Sequence, residues 1–167
     1  MQKKVGLTLG KFAPLHKWHE YLINMALSEV DELIVIIYNN FDLVNIPLKI
    51  RSKWVKKLYP QVSIIEWINN PDNIWTSNDI RRKHENYIKK LVWKKDIFAF
   101  YSSEFYWKYV SKALNTLNRI VDKDRIKVPI SWTKLRTDPI KYKKFLHPIV
   151  YNELIQFYDN KLNNKKD

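Results

Sequence analysis

At 167 residues the chain is long enough for one well-buried domain and short for two. It has no cysteine, which excludes disulfides, thiolate metal sites and cysteine nucleophiles and fits a reducing compartment. A formal charge of +13, from 30 Lys and Arg against 17 Asp and Glu, invites phosphate-rich partners, yet the lysines are scattered over every segment and mark out no single basic groove.

Lys3 to Leu9 is a short apolar, β-branched run of the kind that forms a buried strand, and Gly10 breaks it. Only two glycines occur, Gly6 and Gly10, so a glycine at this turn has a local reason. Pro14 stiffens the loop that follows. From Trp18 onward Tyr21, Leu22, Met25, Ala26 and Val30 keep helical spacing as far as Asp31 and Glu32. Leu33 to Tyr38 reads as a parallel strand covered on both faces, closing a βαβ unit. It is also the longest uninterrupted apolar stretch, far too short to span a bilayer, and the N-terminal run is too short for a secretory signal; a soluble, cytoplasmic protein is expected.

Leu48 to Leu58 has helical spacing and stops before Pro60, Val62 to Trp67 is a third strand, and residues 69–73 form a loop. Ser77 caps a basic helix running to about Val92, Ile97 to Tyr101 is a fourth strand, and Glu104 to Leu114 a further helix. A short strand is expected at Arg119 to Val121, then a turn at Asp122-Lys123-Asp124. Pro139 to Tyr158 reads as helix. The alternation predicts an α/β fold, a doubly wound parallel sheet with a helical C-terminal end, whose ligands sit outside the carboxyl ends of the strands. One domain is expected over residues 1–160, with a polar tail at 161–167.

Two segments carry candidate chemistry. Around Gly10-Lys11-Phe12 the order strand, glycine, helix offers backbone N–H groups and a helix dipole to an anion, and His16 and His19, three apart, share one side of the helix start. The histidines alone also fit a solvated pair, and a metal would need further ligands that are not nearby. Toward the C-terminus, Ser131 and Thr133 precede a helical turn with Arg136 one turn on. That spacing fits an anion clamp and, more simply, an ordinary N-cap with a surface arginine.

The residues of the first segment resemble the signature of the nucleotidylyltransferase superfamily, Gly-x-Phe-x-Pro-x-His-x-Gly-His followed by a helix, with Gly10, Phe12, Pro14, His16 and His19 matching. Ser131, Thr133 and Arg136 are similar to its Ser-x-Thr-x-x-Arg motif. Trp18 stands where the family has glycine and Trp132 where it has glycine or alanine. Both tryptophans are read as pocket-lining, packing on each other or on the nucleotide, or else filling the site. The chain is most like the adenylyltransferase domain of the bifunctional nicotinamide-mononucleotide adenylyltransferase/ribosylnicotinamide kinase proteins. That likeness takes in Pro47, Arg51 and Trp54, the Tyr101-Ser102-Ser103-Glu104 junction and Asp138-Pro139. No kinase domain and no phosphate-binding kinase loop is read in the chain.

The resemblance implies a Rossmann-like nucleotidylyltransferase fold and transfer of AMP from ATP to nicotinamide mononucleotide, giving NAD and pyrophosphate. It implies His16, His19, Lys11 and Arg136 as catalytic residues, and Gly10, Lys11, Phe12, Ser131, Thr133 and Arg136 as nucleotide-binding ones. Asp72, Asn73 and Trp75 would bind the acceptor, with Trp75 stacked on the pyridinium. Mg²⁺ would be carried by the ATP phosphates, with no metal ligand assigned among the side chains. The implied partners are ATP and nicotinamide mononucleotide; a homo-oligomer is left open and no membrane partner is expected. Two alternatives stand beside this reading: the same fold acting on another phosphate acceptor, and a catalytically silent nucleotide- or RNA-binding domain, nucleic acid being the less favoured partner.

Overall fold

The structure is a computed structural model, and it describes residues 2–39, 46–68, 78–103 and 108–163. Among these residues five strands form one parallel sheet in the order β3-β2-β1-β4-β5: β1 (Val5–Gly10), β2 (Glu32–Tyr38), β3 (Ser63–Trp67), β4 (Ile97–Ser102) and β5 (Leu117–Ile120). Six helices accompany them: α1 (Lys17–Leu27), α2 (Leu48–Leu58), α3 (Asn78–Leu91), α4 (Lys108–Ala113), α5 (Trp132–Thr137) and α6 (Pro148–Asn163).

The period of two along each strand sends alternate side chains to two separate cores. Leu33, Val35 and Ile37 of β2 join Leu22 and Ile23 of α1, Trp54 and Val55 of α2 and Val150 and Leu154 of α6 on one face. Ile34 and Ile36 join Leu7 and Leu9 of β1, Ile88 of α3 and Val110 of α4 on the other. Both faces of the central strands are therefore dry, which is why β2 is apolar throughout rather than alternating. A register shift between Val5 and Gly6 against β4 breaks the alternation there: Ile97 faces one core, Ala99 the other. Gly6 has a steric reason, since a Cβ there would lie 3.1 Å from the ring of Tyr101 and 3.1 Å from Val30.

In three places the elements differ from the sequence reading. β5 begins at Leu117, two residues before the expected Arg119, and Val121 instead sends its N–H to the carbonyl of Ser102 beyond the strand. The expected helix from Pro139 is a turn and a short 3₁₀ segment, Lys143–Phe145. There the Asp138 carboxylate accepts from the Lys141 N–H, and the continuous helix starts only at Pro148, where the His147 ring accepts from the Ile149 N–H and proline's missing donor costs nothing. That helix continues to Asn163, past Tyr158, where the helical reading ended.

α6 is pinned to α2 through one carboxylate. Glu153 accepts from the indole N–H of Trp54 at 2.9 Å and from Lys57 at 2.5 Å, with Lys53 at 3.7 Å. Among the described residues no helix is long and apolar enough to cross a membrane.

Candidate active site

The order of strands reverses between β1 and β4, and a parallel sheet opens a crevice at the carboxyl ends of strands where its order reverses. Three chain segments leave the sheet there: the loop from Gly10 to His16 after β1, Ser102 and Ser103 after β4, and the stretch from Val121 to Ser131 after β5. All of the described residues implicated by the two sequence motifs belong to the first and third segments or to the helices they open.

The first loop is held tightly. Phe12 is buried with its backbone at φ 50°, a left-handed conformation that a bulky residue adopts only when its surroundings hold it there. Its ring lies over Gly10, so a Cβ at Gly10 would come within 3.1 Å of that ring. The peptide bond before Pro14 is cis. Arg51 of α2, fully buried, ties the loop to the sheet: its guanidinium donates to the carbonyls of Lys11 at 2.6 Å, Tyr38 at 2.9 Å and Ile46 at 3.0 Å, and to the side chain of Asn39. Burial pushes the Arg51 pKa down to about 10, so it keeps its charge at neutral pH. Arg51 was legible only as part of a family likeness, since nothing in its spacing marks a side chain that gathers four acceptors.

His16 and His19 meet at the start of α1, their ring centroids 3.9 Å apart, and Phe12 packs on His19 at 4.6 Å. The His16 backbone N–H donates to His19 Nδ1 at 3.3 Å, which makes Nδ1 an acceptor and leaves the proton of a neutral ring on Nε2. Nδ1 of His16 is buried without a hydrogen-bond partner among the described residues. Both rings resist protonation. Burial first, and the Arg125 guanidinium second, lower His16 to about 3; burial, His16 and Arg125 in that order hold His19 well below the usual histidine range.

These shifts couple to stability. An unfolded chain takes up a proton on His16 near pH 6.5 whereas the native one waits until about pH 3, so the unfolded state binds more protons in between. Stability is therefore complete above about pH 6.5 and is lost as the pH falls towards about 3. A series of melting curves across that window should show a declining melting temperature, with a shallower decline for His16→Gln; equal slopes in the two proteins would refute the coupling.

Trp18 is buried at the base of this pair, edge-on to His19 at 5.7 Å, with Arg125 over its ring at 4.4 Å. Arg125 itself has φ 52° and donates to the carbonyl of Ile130 at 2.7 Å. It sits in a loop organised by Asp122, whose carboxylate accepts from the N–H groups of Ile126, Lys127 and Val128. Sequence reasoning stopped at the Asp122-Lys123-Asp124 turn and missed Arg125, because its contact with Trp18 crosses the fold and leaves no periodic trace.

Trp132 opens α5. The Arg136 guanidinium stacks on its ring at 3.4 Å, and Lys11 Nζ lies over the same ring at 5.3 Å. Burial lowers the Arg136 pKa while Tyr158 of α6 favours its charge. The two tryptophans thus do not stack on each other: each engages its own cations. Ser131 caps α5, its hydroxyl accepting from the Lys134 N–H at 3.4 Å, and Thr133 is exposed on the first turn. Asp72, Asn73 and Trp75 lie outside the described residues. Among the described residues no group of three or more His, Asp or Glu side chains could hold a metal ion.

Comparison with solved structures places this architecture. A bifunctional NMN adenylyltransferase/ADP ribose pyrophosphatase from Francisella tularensis, complexed with AMP and a manganese ion, superposes on 95% of the chain with a TM-score of 0.70 at 17% identity. The fold is that of the nucleotidylyltransferases. A NadR protein in complex with NAD and AMP-PNP superposes on 86% of the chain, with a TM-score of 0.65 and 19% identity. In sequence, 36 residues, 22% of the chain, are 56% identical to the trifunctional NAD biosynthesis/regulator protein NadR of Salmonella typhimurium. That match covers 9% of the curated relative, and the chain spans half or less of the two solved proteins. No family model matches the chain.

Proposed function

We propose that this chain is a nicotinamide-nucleotide adenylyltransferase, transferring AMP from ATP to nicotinamide mononucleotide and releasing pyrophosphate. The observation that carries the reading is the meeting of Lys11 and Arg136, from opposite ends of the chain, on the Trp132 ring, in a nucleotidylyltransferase fold whose β1 loop also supplies two adjacent neutral histidines. The names of similar proteins, an NMN adenylyltransferase and NadR among them, support the substrate class.

The reaction asks for little from side chains beyond placement and charge. An oxygen of the acceptor's 5′-phosphate attacks the α-phosphorus of ATP, the bond from that phosphorus to the bridging oxygen breaks, and pyrophosphate leaves with the electron pair. The attacking phosphate is already ionised near neutral pH, so no general base is assigned. Lys11 and Arg136 neutralise the polyphosphate. His19, with its proton on Nε2, donates to a phosphate oxygen and stays neutral throughout. The site side chains are hydrogen-bond donors and cations rather than a metal cage, so a divalent ion would enter on the ATP phosphates and neutralise their charge.

Pyrophosphate release from ATP and Mg²⁺, measured with and without nicotinamide mononucleotide, tests the proposal. Release that depends on the mononucleotide, with NAD as product, is the expected result. Release only with a different phosphate acceptor would move the assignment to that acceptor, and no release by folded protein would sink it.

A further inference from the structure

Lys11 follows β1 and Arg136 lies in the last turn of α5, so each reaches the crevice on a long, flexible side chain from a different element. Two such cations repel each other and lose rotamer freedom when a ligand orders them. Here both lie on one indole, Arg136 stacked at 3.4 Å and Lys11 at 5.3 Å. The face of an indole is the negative pole of its quadrupole and, of the aromatic side chains, attracts cations best. Trp132 is half-buried rather than sealed in the core, and its ring carries two cations. That is the environment of a platform and not of a plug. The glycine or alanine of the superfamily pattern offers neither cation a surface.

We infer that Trp132 is a positioning residue that holds Lys11 and Arg136 together as a two-cation clamp for the polyphosphate of a nucleoside triphosphate, an inference that rests on the adenylyl-transfer reading above. Preplacing both side chains lowers the ordering cost of binding, so the ring acts on affinity without touching the ligand's reacting atoms. Trp18 has the corresponding arrangement with Arg125, but buried, and so has a structural part to play in the floor of the site.

The test needs no acceptor and no turnover. Inorganic tripolyphosphate is titrated calorimetrically into the whole chain and into two variants, Trp132→Leu, which keeps the apolar bulk without the π face, and Trp132→Phe, which keeps a face. Trp132→Leu should bind about 5- to 30-fold more weakly, Trp132→Phe should stay within about threefold of the parent, and the melting temperatures should agree. Should Trp132→Leu fail to fold, Trp132→Met makes the same comparison. Binding by Trp132→Leu as tight as the parent's, or tighter, overturns the inference and leaves the proposed reaction standing, as does an equal loss in the Leu and Phe variants. A parent chain that binds no tripolyphosphate overturns both.

Discussion

His19→Ala should lower kcat/KM for adenylyl transfer about ten- to a hundredfold, the equivalent of one charge-assisted hydrogen bond of about 1.5–3 kcal/mol made in the transition state. His19 lies in the first turn of α1 with its proton position set by a neighbour: the His16 backbone N–H occupies Nδ1, so Nε2 is the donor of the neutral ring. Because the ring stays neutral far below pH 6.5, the rate should show no histidine limb near that pH, and the loss in His19→Ala should be the same at about pH 6 and about pH 8. Steady-state kinetics at both values check this; an unchanged kcat/KM removes His19 from the chemistry.

Arg51→Met should be the most damaging substitution for stability, costing about 3–5 kcal/mol, since each acceptor left buried and unsatisfied costs about 1–3 kcal/mol. The acceptors left behind are the carbonyls of Ile46, Lys11 and Tyr38 and the side chain of Asn39, which water reaches poorly at a position where Arg51 itself is wholly buried. For a chain of this length that corresponds to a fall in melting temperature of about 6–20 °C. Activity should fall further than the folded fraction does, because the Lys11 carbonyl is one of the four tethers and the loop bearing Lys11 loses its anchor. A melting temperature within about 2 °C of the parent would show that the carbonyls find other donors.

The parts of the fold that the sequence disclosed are those governed by local rules. β1 and β2 are apolar because both faces are covered, and Gly10 marks the turn because the Phe12 ring occupies the space of a side chain. α5 was legible through Ser131, which does cap it. The start of α6 was not, because the stop and restart depend on Asp138 and His147 side chains bonding to nearby backbone, which helical periodicity does not register. At the candidate site, the motif residues Lys11, His16, His19 and Arg136 stood out, while the links among them did not. Arg125 on Trp18 and Lys11 on Trp132 join residues more than a hundred positions apart, and only the folded chain brings them within reach. The tryptophans looked anomalous against a pattern of small residues because the cations they accommodate are invisible in a linear reading.

The division of the crevice between the first and third segments bears on how the protein is made. A ribosome adds about 5–20 residues per second, and chains fold from the N-terminus as they emerge. The strands β1, β2 and β3 and both histidines are thus available well before β4, β5 and the loop that carries Arg125. A nascent chain halted between β5 and α5 holds the histidines without Arg136 or the ring it stacks on, so under the proposed function the polyphosphate clamp would form only once most of the polypeptide has been synthesised.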